Sequence, residues 1–230
     1  FITGATGNLG RAAVQRFLKD GYFVIALIAP GETLNLETVD NLVVHPVDLR
    51  AEKVVDDFMS SIIQQHGTVD AALLLVGGYA GGSLDETNVA DLKKMIALNF
   101  ETAYNCVRPI FLQMMKQGSG GRVVLVGAKT ALEPKAGRKA LAYSLSKSML
   151  FNLAAMLNAE GEGKNIVTSV IVPSTIDTAQ NRRDMPKADF SLWVKPEEIA
   201  DILSFITSPQ AHPLGDPVLK VYGNTRPPSE

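Results

Sequence analysis

Short unbroken apolar runs alternate with longer amphipathic stretches from one end of this 230-residue chain to the other. Residues 23–29, 42–47, 71–76, 122–126, 166–172 and 218–222 have strand length, and most lack the polar alternation of a half-exposed strand. Parallel strands covered on both faces read this way. Between them, apolar residues recur at helical spacing. Ala13, Val14, Phe17 and Leu18 share a face within 11–20, which Gly21 would cap, and Val54, Val55, Phe58, Met59, Ile62 and Ile63 form a second face. A long helix is expected over 89–116, another over 143–158, and a last one over 196–206 with proline in its first turn. Such alternation predicts an α/β fold: a single-domain, Rossmann-like, doubly wound parallel sheet with right-handed crossovers. Residues 1–224 would form that domain, with 225–230 a disordered tail. Ligands of such sheets bind at the carboxyl ends of the strands, where strand order reverses.

Composition removes several classes of function. A net charge of −2 gives no electrostatic case for nucleic acid or an anionic membrane surface. The apolar runs at 24–29 and 71–76 fall far short of the ~20 residues that span a bilayer. Cys106 is the only cysteine, so no internal disulfide can form, and a reducing, cytoplasmic location is expected. His45, His66 and His212 are scattered, so no metal site is expected. No signal peptide is visible, and because the chain opens inside an apolar run, a few further residues are expected upstream.

The first strand runs into Thr3-Gly4-Ala5-Thr6-Gly7-Asn8-Leu9-Gly10. Gly4 permits a tight turn, Gly7 lets backbone approach a pyrophosphate, and Gly10 lets helix pack closely on strand. Asn8 and Leu9 lie in the same loop as cofactor-binding candidates, and the helix N-terminus that follows faces phosphate with its partial positive charge. A tight strand–helix turn without a ligand uses glycine too, but this loop follows the first strand, where dinucleotides bind. An acid at the end of the second strand would grip the ribose of NAD. The chain reads Leu27-Ile28-Ala29-Pro30 there, with no acid and no adjoining arginine, and Glu32 lies past the break. NADH and NADPH both remain open as cofactor. After the third strand come Asp48 and Leu49, where Asp48 either accepts from an adenine amino group or closes a turn.

Tyr143-Ser144-Leu145-Ser146-Lys147 opens a helix after the fifth strand. Positions i and i+4 share a helix face, so Lys147 stands beside Tyr143. A free phenol has a pKa near ~10. An adjacent ammonium is expected to lower it and turn the phenol into a usable proton donor.

In this order and context the two motifs resemble the short-chain dehydrogenase/reductase family over essentially the whole chain. The resemblance implies Tyr143 as proton donor, Lys147 as its partner and a ligand of the nicotinamide ribose, and Asn99 as the holder of a relay water. It also implies cofactor contacts at Gly77, Gly78, Pro173, Ile176 and Thr178. Two departures stand out. The glycines are spaced three and three rather than four and two, and Ala128 holds the place of the family's catalytic serine, with Thr130 close enough to offer a hydroxyl. Gly77-Gly78-Tyr79-Ala80-Gly81-Gly82, Gly127-Ala128-Lys129-Thr130-Ala131-Leu132 and Met185-Pro186-Lys187-Ala188-Asp189-Phe190-Ser191-Leu192-Trp193 resemble the dihydropteridine reductase branch.

That branch implies reduction of quinonoid dihydropteridine or a similar flat heterocycle, with hydride from the nicotinamide and a proton from Tyr143. Tyr79, Ala128, Thr130, Met185 and Trp193 would line the substrate site. The alternatives are a carbonyl reductase of the same family and a non-catalytic dinucleotide-sensing protein. A small-molecule substrate is expected, and a homodimer or homotetramer joined through the 89–116 and 143–158 helices.

Overall fold

The computed structural model describes residues 1–37 and 39–224; the 225–230 segment, assigned above to a disordered tail, lies outside the described residues. One sheet organises the chain. Its strands are β1 (Ile2–Thr3), β2 (Val24–Ile28), β3 (Leu42–Pro46), β4 (Ala71–Leu74), β5 (Gly121–Val126), β6 (Ile166–Pro173) and β7 (Val218–Val221). Their order is β3-β2-β1-β4-β5-β6-β7, and among the described residues all six neighbouring pairs run parallel. The chain winds outward from β1 to β3, then returns to place β4 on the other flank of β1. The switch point therefore lies between the carboxyl ends of β1 and β4. Thr3 Oγ1 accepts from Leu75 N at 3.0 Å and ties the two strand ends together there.

Both faces of the central strands are covered, while the edge strands β3 and β7 are partly exposed, which explains the unbroken apolar runs of the middle of the sheet. Along β2, Ile25 and Leu27 enter one core cluster while Val24, Ala26 and Ile28 enter the other. The first cluster packs under α2 (Glu52–His66), α4 (Thr102–Gln117) and α7 (Leu141–Glu160), and the second under α1 (Asn8–Lys19) and α9 (Pro196–Thr207). The remaining helices are α3 (Val89–Ile96), α5 (Lys129–Leu132), α6 (Pro134–Gly137) and α8 (Ala179–Asp184).

The elements match the expected ones with shifts at their ends. Two differences matter for the site. Helix α1 begins at Asn8, three residues earlier than expected, so the glycine loop itself delivers the helix N-terminus. The long helix expected over 89–116 is not uniform: it passes through a π-helical turn, Ala97–Glu101, between α3 and α4. Such turns insert one residue into the helical ladder and re-aim the side chains around them. This one carries Asn99, which is fully buried.

Candidate active site

The glycine loop is built for close approach. Gly4 has φ +64°, where a side chain would be strained. A Cβ on Gly10 would lie 2.1 Å from Gly4 O, so only glycine lets α1 seat on the strand end. Gly7 is the N-cap of α1, yet no side chain caps that helix and no acid occupies its first turn. The N–H groups of Asn8, Leu9 and Gly10 are thus left for an outside acceptor, which is what a pyrophosphate supplies.

The loop after β4 approaches from the other side of the crevice. A Cβ on Gly77 would lie 2.8 Å from Asn99 Oδ1 and 2.9 Å from Lys147 Nζ. Asn99 grips the next residue at both ends, accepting from Gly78 N at 2.9 Å and donating to Gly78 O at 3.1 Å. Its amide also donates to Ser146 Oγ at 3.1 Å, and Ser146 Oγ donates to Tyr143 O at 2.7 Å. A continuous chain of hydrogen bonds therefore links the glycine loop, the π-helical turn and the first turn of α7. The π-helical turn is what aims Asn99 into that junction.

Tyr143 and Lys147 sit one turn apart on α7, as their spacing requires. Lys147 is buried and donates from Nζ to Val126 O at 2.8 Å, at the carboxyl end of β5. Among the described residues no acid pairs with it, and burial brings its ammonium down to about 8. The phenol moves opposite to expectation. Burial, with a smaller contribution from Tyr79, pushes Tyr143 up to about 12. The cause is that desolvation disfavours the phenolate while the neighbouring ammonium is turned toward the Val126 carbonyl. Tyr143 accordingly holds its proton firmly in this state. Tyr79, 69% exposed, lies edge-on to Tyr143 with ring centroids 5.1 Å apart. The two rings form an aromatic wall at the end of the crevice.

The other expected residues fall into two groups. Ala128, buried, ends the β5 connection as the N-cap of α5. Thr130 turns its hydroxyl into the protein, where no partner meets it. Pro173 ends β6, and Ile176 pairs with Val194 in an isolated bridge that pinches off residues 177–193. Thr178 spends its hydroxyl as the N-cap of α8, accepting from Asn181 N at 3.1 Å. Within the pinched-off excursion, Trp193 is buried against Phe190 at 4.7 Å, whereas Met185, at the end of α8, is 40% exposed. Asp48 is held by Arg50, whose backbone N, Nε and Nη2 all donate to it, and this lowers its carboxyl below the usual range. It closes a turn in this structure, while Leu49 is buried in the core and offers only backbone to the crevice.

Sequence reading missed three participants. Ser146 and Thr3 carry links described above, and nothing in a serine or threonine code announces them. Glu32 is the third: its Oε2 accepts from Thr6 Oγ1 of the glycine loop at 2.5 Å. Pro30-Gly31 does not carry Glu32 away from β2. Gly31 has φ +86°, and Glu32 N donates to Ala29 O at 3.0 Å, so the chain folds back on the strand end.

Among the described residues no group of His, Cys, Asp and Glu could hold a metal ion, and no helix is long and apolar enough to cross a membrane.

A profile of the short chain dehydrogenase family matches residues 1–189. Among curated relatives, the cyclic-di-GMP-binding biofilm dispersal mediator protein of Escherichia coli is 27% identical over 222 residues, covering 91% of this chain and 89% of that protein. The dihydropteridine reductase of Dictyostelium discoideum is 26% identical over 225 residues, covering 95% and 92%. Among solved structures, a blue fluorescent protein from a metagenomic library in complex with NADPH has a TM-score of 0.85 at 23% identity, covering 98% of this chain and 97% of that one. ElxO with NADP bound has a TM-score of 0.87 at 21% identity, covering 96% and 95%. The two structures share the fold seen here.

Proposed function

Starting from the fact that the chain belongs to the short chain dehydrogenase family and is an oxidoreductase using NADH or NADPH, we propose that it reduces quinonoid dihydropteridine or a similar flat heterocycle. The observation that carries this reading is the wall formed by Tyr79 and Tyr143, taken with Ala128 after β5, a methyl group at the place where the family resemblance puts a hydroxyl.

The residues present fit the dinucleotide. The pyrophosphate would lie on the uncapped start of α1 over Gly4, Gly7 and Gly10. The Gly77-Gly78 loop, Pro173, Ile176 and Thr178 would hold the nicotinamide half, with Lys147 on its ribose. When bound, the nicotinamide supplies a hydride. Tyr143 delivers a proton to the reduced heteroatom, and its burial keeps that proton in place until then. Lys147, short of solvent and without a carboxylate partner, stabilises the phenolate that results. Asn99 holds the loop after β4 against α7 and so sets the distance between nicotinamide and phenol. Met185 and Trp193 are proposed to close the site from the 177–193 excursion.

Why an alanine suits this chemistry follows from where charge develops. Ketone reduction places charge on one oxygen, and a hydroxyl aimed at that oxygen contributes strongly. A quinonoid ring spreads incoming charge over a conjugated system, so one aimed donor matters less and a flat aromatic slot matters more. The relative from Dictyostelium discoideum supports this reading, although relatives of other names match the chain as well. The test is nucleotide oxidation with quinonoid dihydropteridine generated in situ, beside a panel of ketones and aldehydes. Faster turnover of the pterin supports the proposal; turnover of carbonyls alone replaces it with a carbonyl reductase.

A further inference from the structure

We propose that Glu32 makes this protein select NADH over NADPH: its carboxylate accepts from the adenosine ribose hydroxyls and repels a 2′-phosphate. The inference rests on the dinucleotide reading above and goes beyond it, since that reading treats the two nucleotides alike.

The position where such a selector would be expected, the last residues of β2, holds Ile28 and then Ala29-Pro30. Glu32 reaches the same place by a different route. The left-handed Gly31 and the Glu32 N to Ala29 O bond turn the chain back over the strand end. There Glu32 Oε2 takes the Thr6 hydroxyl at 2.5 Å and lies 3.4 Å from Ala29 N. Thr6 belongs to the loop that leads into the uncapped start of α1. A carboxylate oxygen is thus fixed at the seam between the glycine loop and the end of β2. In folds of this kind the acid that meets the adenosine ribose stands at the end of the second strand, so Glu32 would be the group placed to hold it here.

The chemistry of the seam favours one nucleotide. A carboxylate only accepts hydrogen bonds, and two ribose hydroxyls are donors that match it. A 2′-phosphate brings only negative charge and acceptor oxygens. Among the described residues no lysine or arginine pairs with Glu32, so nothing cancels its charge. Among the described residues Arg11 is the one cation bonded to this loop: its Nη2 donates to Thr6 O at 3.4 Å, on the carbonyl and not on the hydroxyl that Glu32 holds. Arg11 is the competing group, because a guanidinium would welcome a phosphate.

Calorimetric titration of NADH and NADPH into wild-type protein, Glu32→Gln and Arg11→Gln decides between them. We expect wild type to bind NADH about tenfold or more tightly than NADPH, the scale that a fixed like charge imposes. Glu32→Gln, which keeps the shape and removes the charge, should close most of that gap through tighter NADPH binding. Arg11→Gln should leave the preference for NADH in place. Equal affinities in wild type, a preference for NADPH, or an unchanged gap in Glu32→Gln would each overturn the proposal. Binding of neither nucleotide would remove the dinucleotide reading itself, and this inference with it.

Discussion

Tyr143 and Lys147 are placed by spacing and tuned by burial, and the two effects have different legibility. That they share a helix face follows from four residues of sequence. That the phenol is pushed up to about 12 and the ammonium down to about 8 does not, because desolvation depends on what packs around them. The lysine shift has a measurable sign. Between about 8 and the ordinary lysine value near ~10.4, the unfolded chain binds a proton at this site that the folded protein does not, so stability rises with pH across that window. Urea titrations should show wild type gaining on Lys147→Met as pH rises from about 8 toward ~10. A gap that stays constant over that range would mean that the ammonium is not desolvated. Ala128 makes the second residue-scale prediction. With charge spread over the heterocycle, Ala128→Ser should change pterin turnover by less than about threefold, well below the ~100-fold scale of an aimed oxyanion donor. A large gain would show that a hydroxyl was missing.

At the scale of elements, the π-helical turn is the feature that the sequence concealed. Leu92, Met95, Ile96 and Phe100 continue a helical apolar stripe into α4, and one extra residue in the ladder leaves little mark on such a pattern. Its consequence is local: Asn99 turns inward and locks the Gly77-Gly78 loop to α7 through Ser146. Asn99→Ala removes a buried amide and leaves the Gly78 backbone and Ser146 hydroxyl short of partners. Such a loss costs roughly 1–3 kcal/mol. We expect that cost in denaturant unfolding together with a raised KM for nucleotide. An unchanged KM at reduced stability would confine Asn99 to a structural role. The turn after β2 is the other concealed element. Pro30-Gly31 signals a break, which was legible, but which way the chain leaves the break depends on the left-handed Gly31. So Glu32, three residues beyond the apolar run, belongs to the crevice.

For the whole molecule, the sequence was sufficient for the architecture. Unbroken apolar runs require two covered faces, covered parallel strands require crossover helices, and right-handed crossovers leave few topologies to choose from. The doubly wound parallel sheet follows, while the strand order, and with it the crevice between β1 and β4, comes from the structure. What the pattern leaves open is the surface. Helices α4 and α7 expose Tyr104, Leu112, Leu145 and Met156, which is apolar area that association would cover. We therefore expect a homodimer or homotetramer through these two helices. Light scattering should return a multiple of the single-chain mass, and Leu145→Glu with Met156→Glu should reduce it. Particles of one chain only, in wild type at micromolar concentration, would contradict that assembly.

The most direct test of the chemistry compares wild type and Tyr143→Phe in nucleotide oxidation driven by quinonoid dihydropteridine, with nucleotide affinity measured on the same samples. Wild type should turn over, and the variant should lose about 100-fold or more, the contribution typical of a positioned proton donor, while binding nucleotide as before. Equal turnover by the two proteins, or none by wild type, would contradict a reductase that delivers its proton from Tyr143.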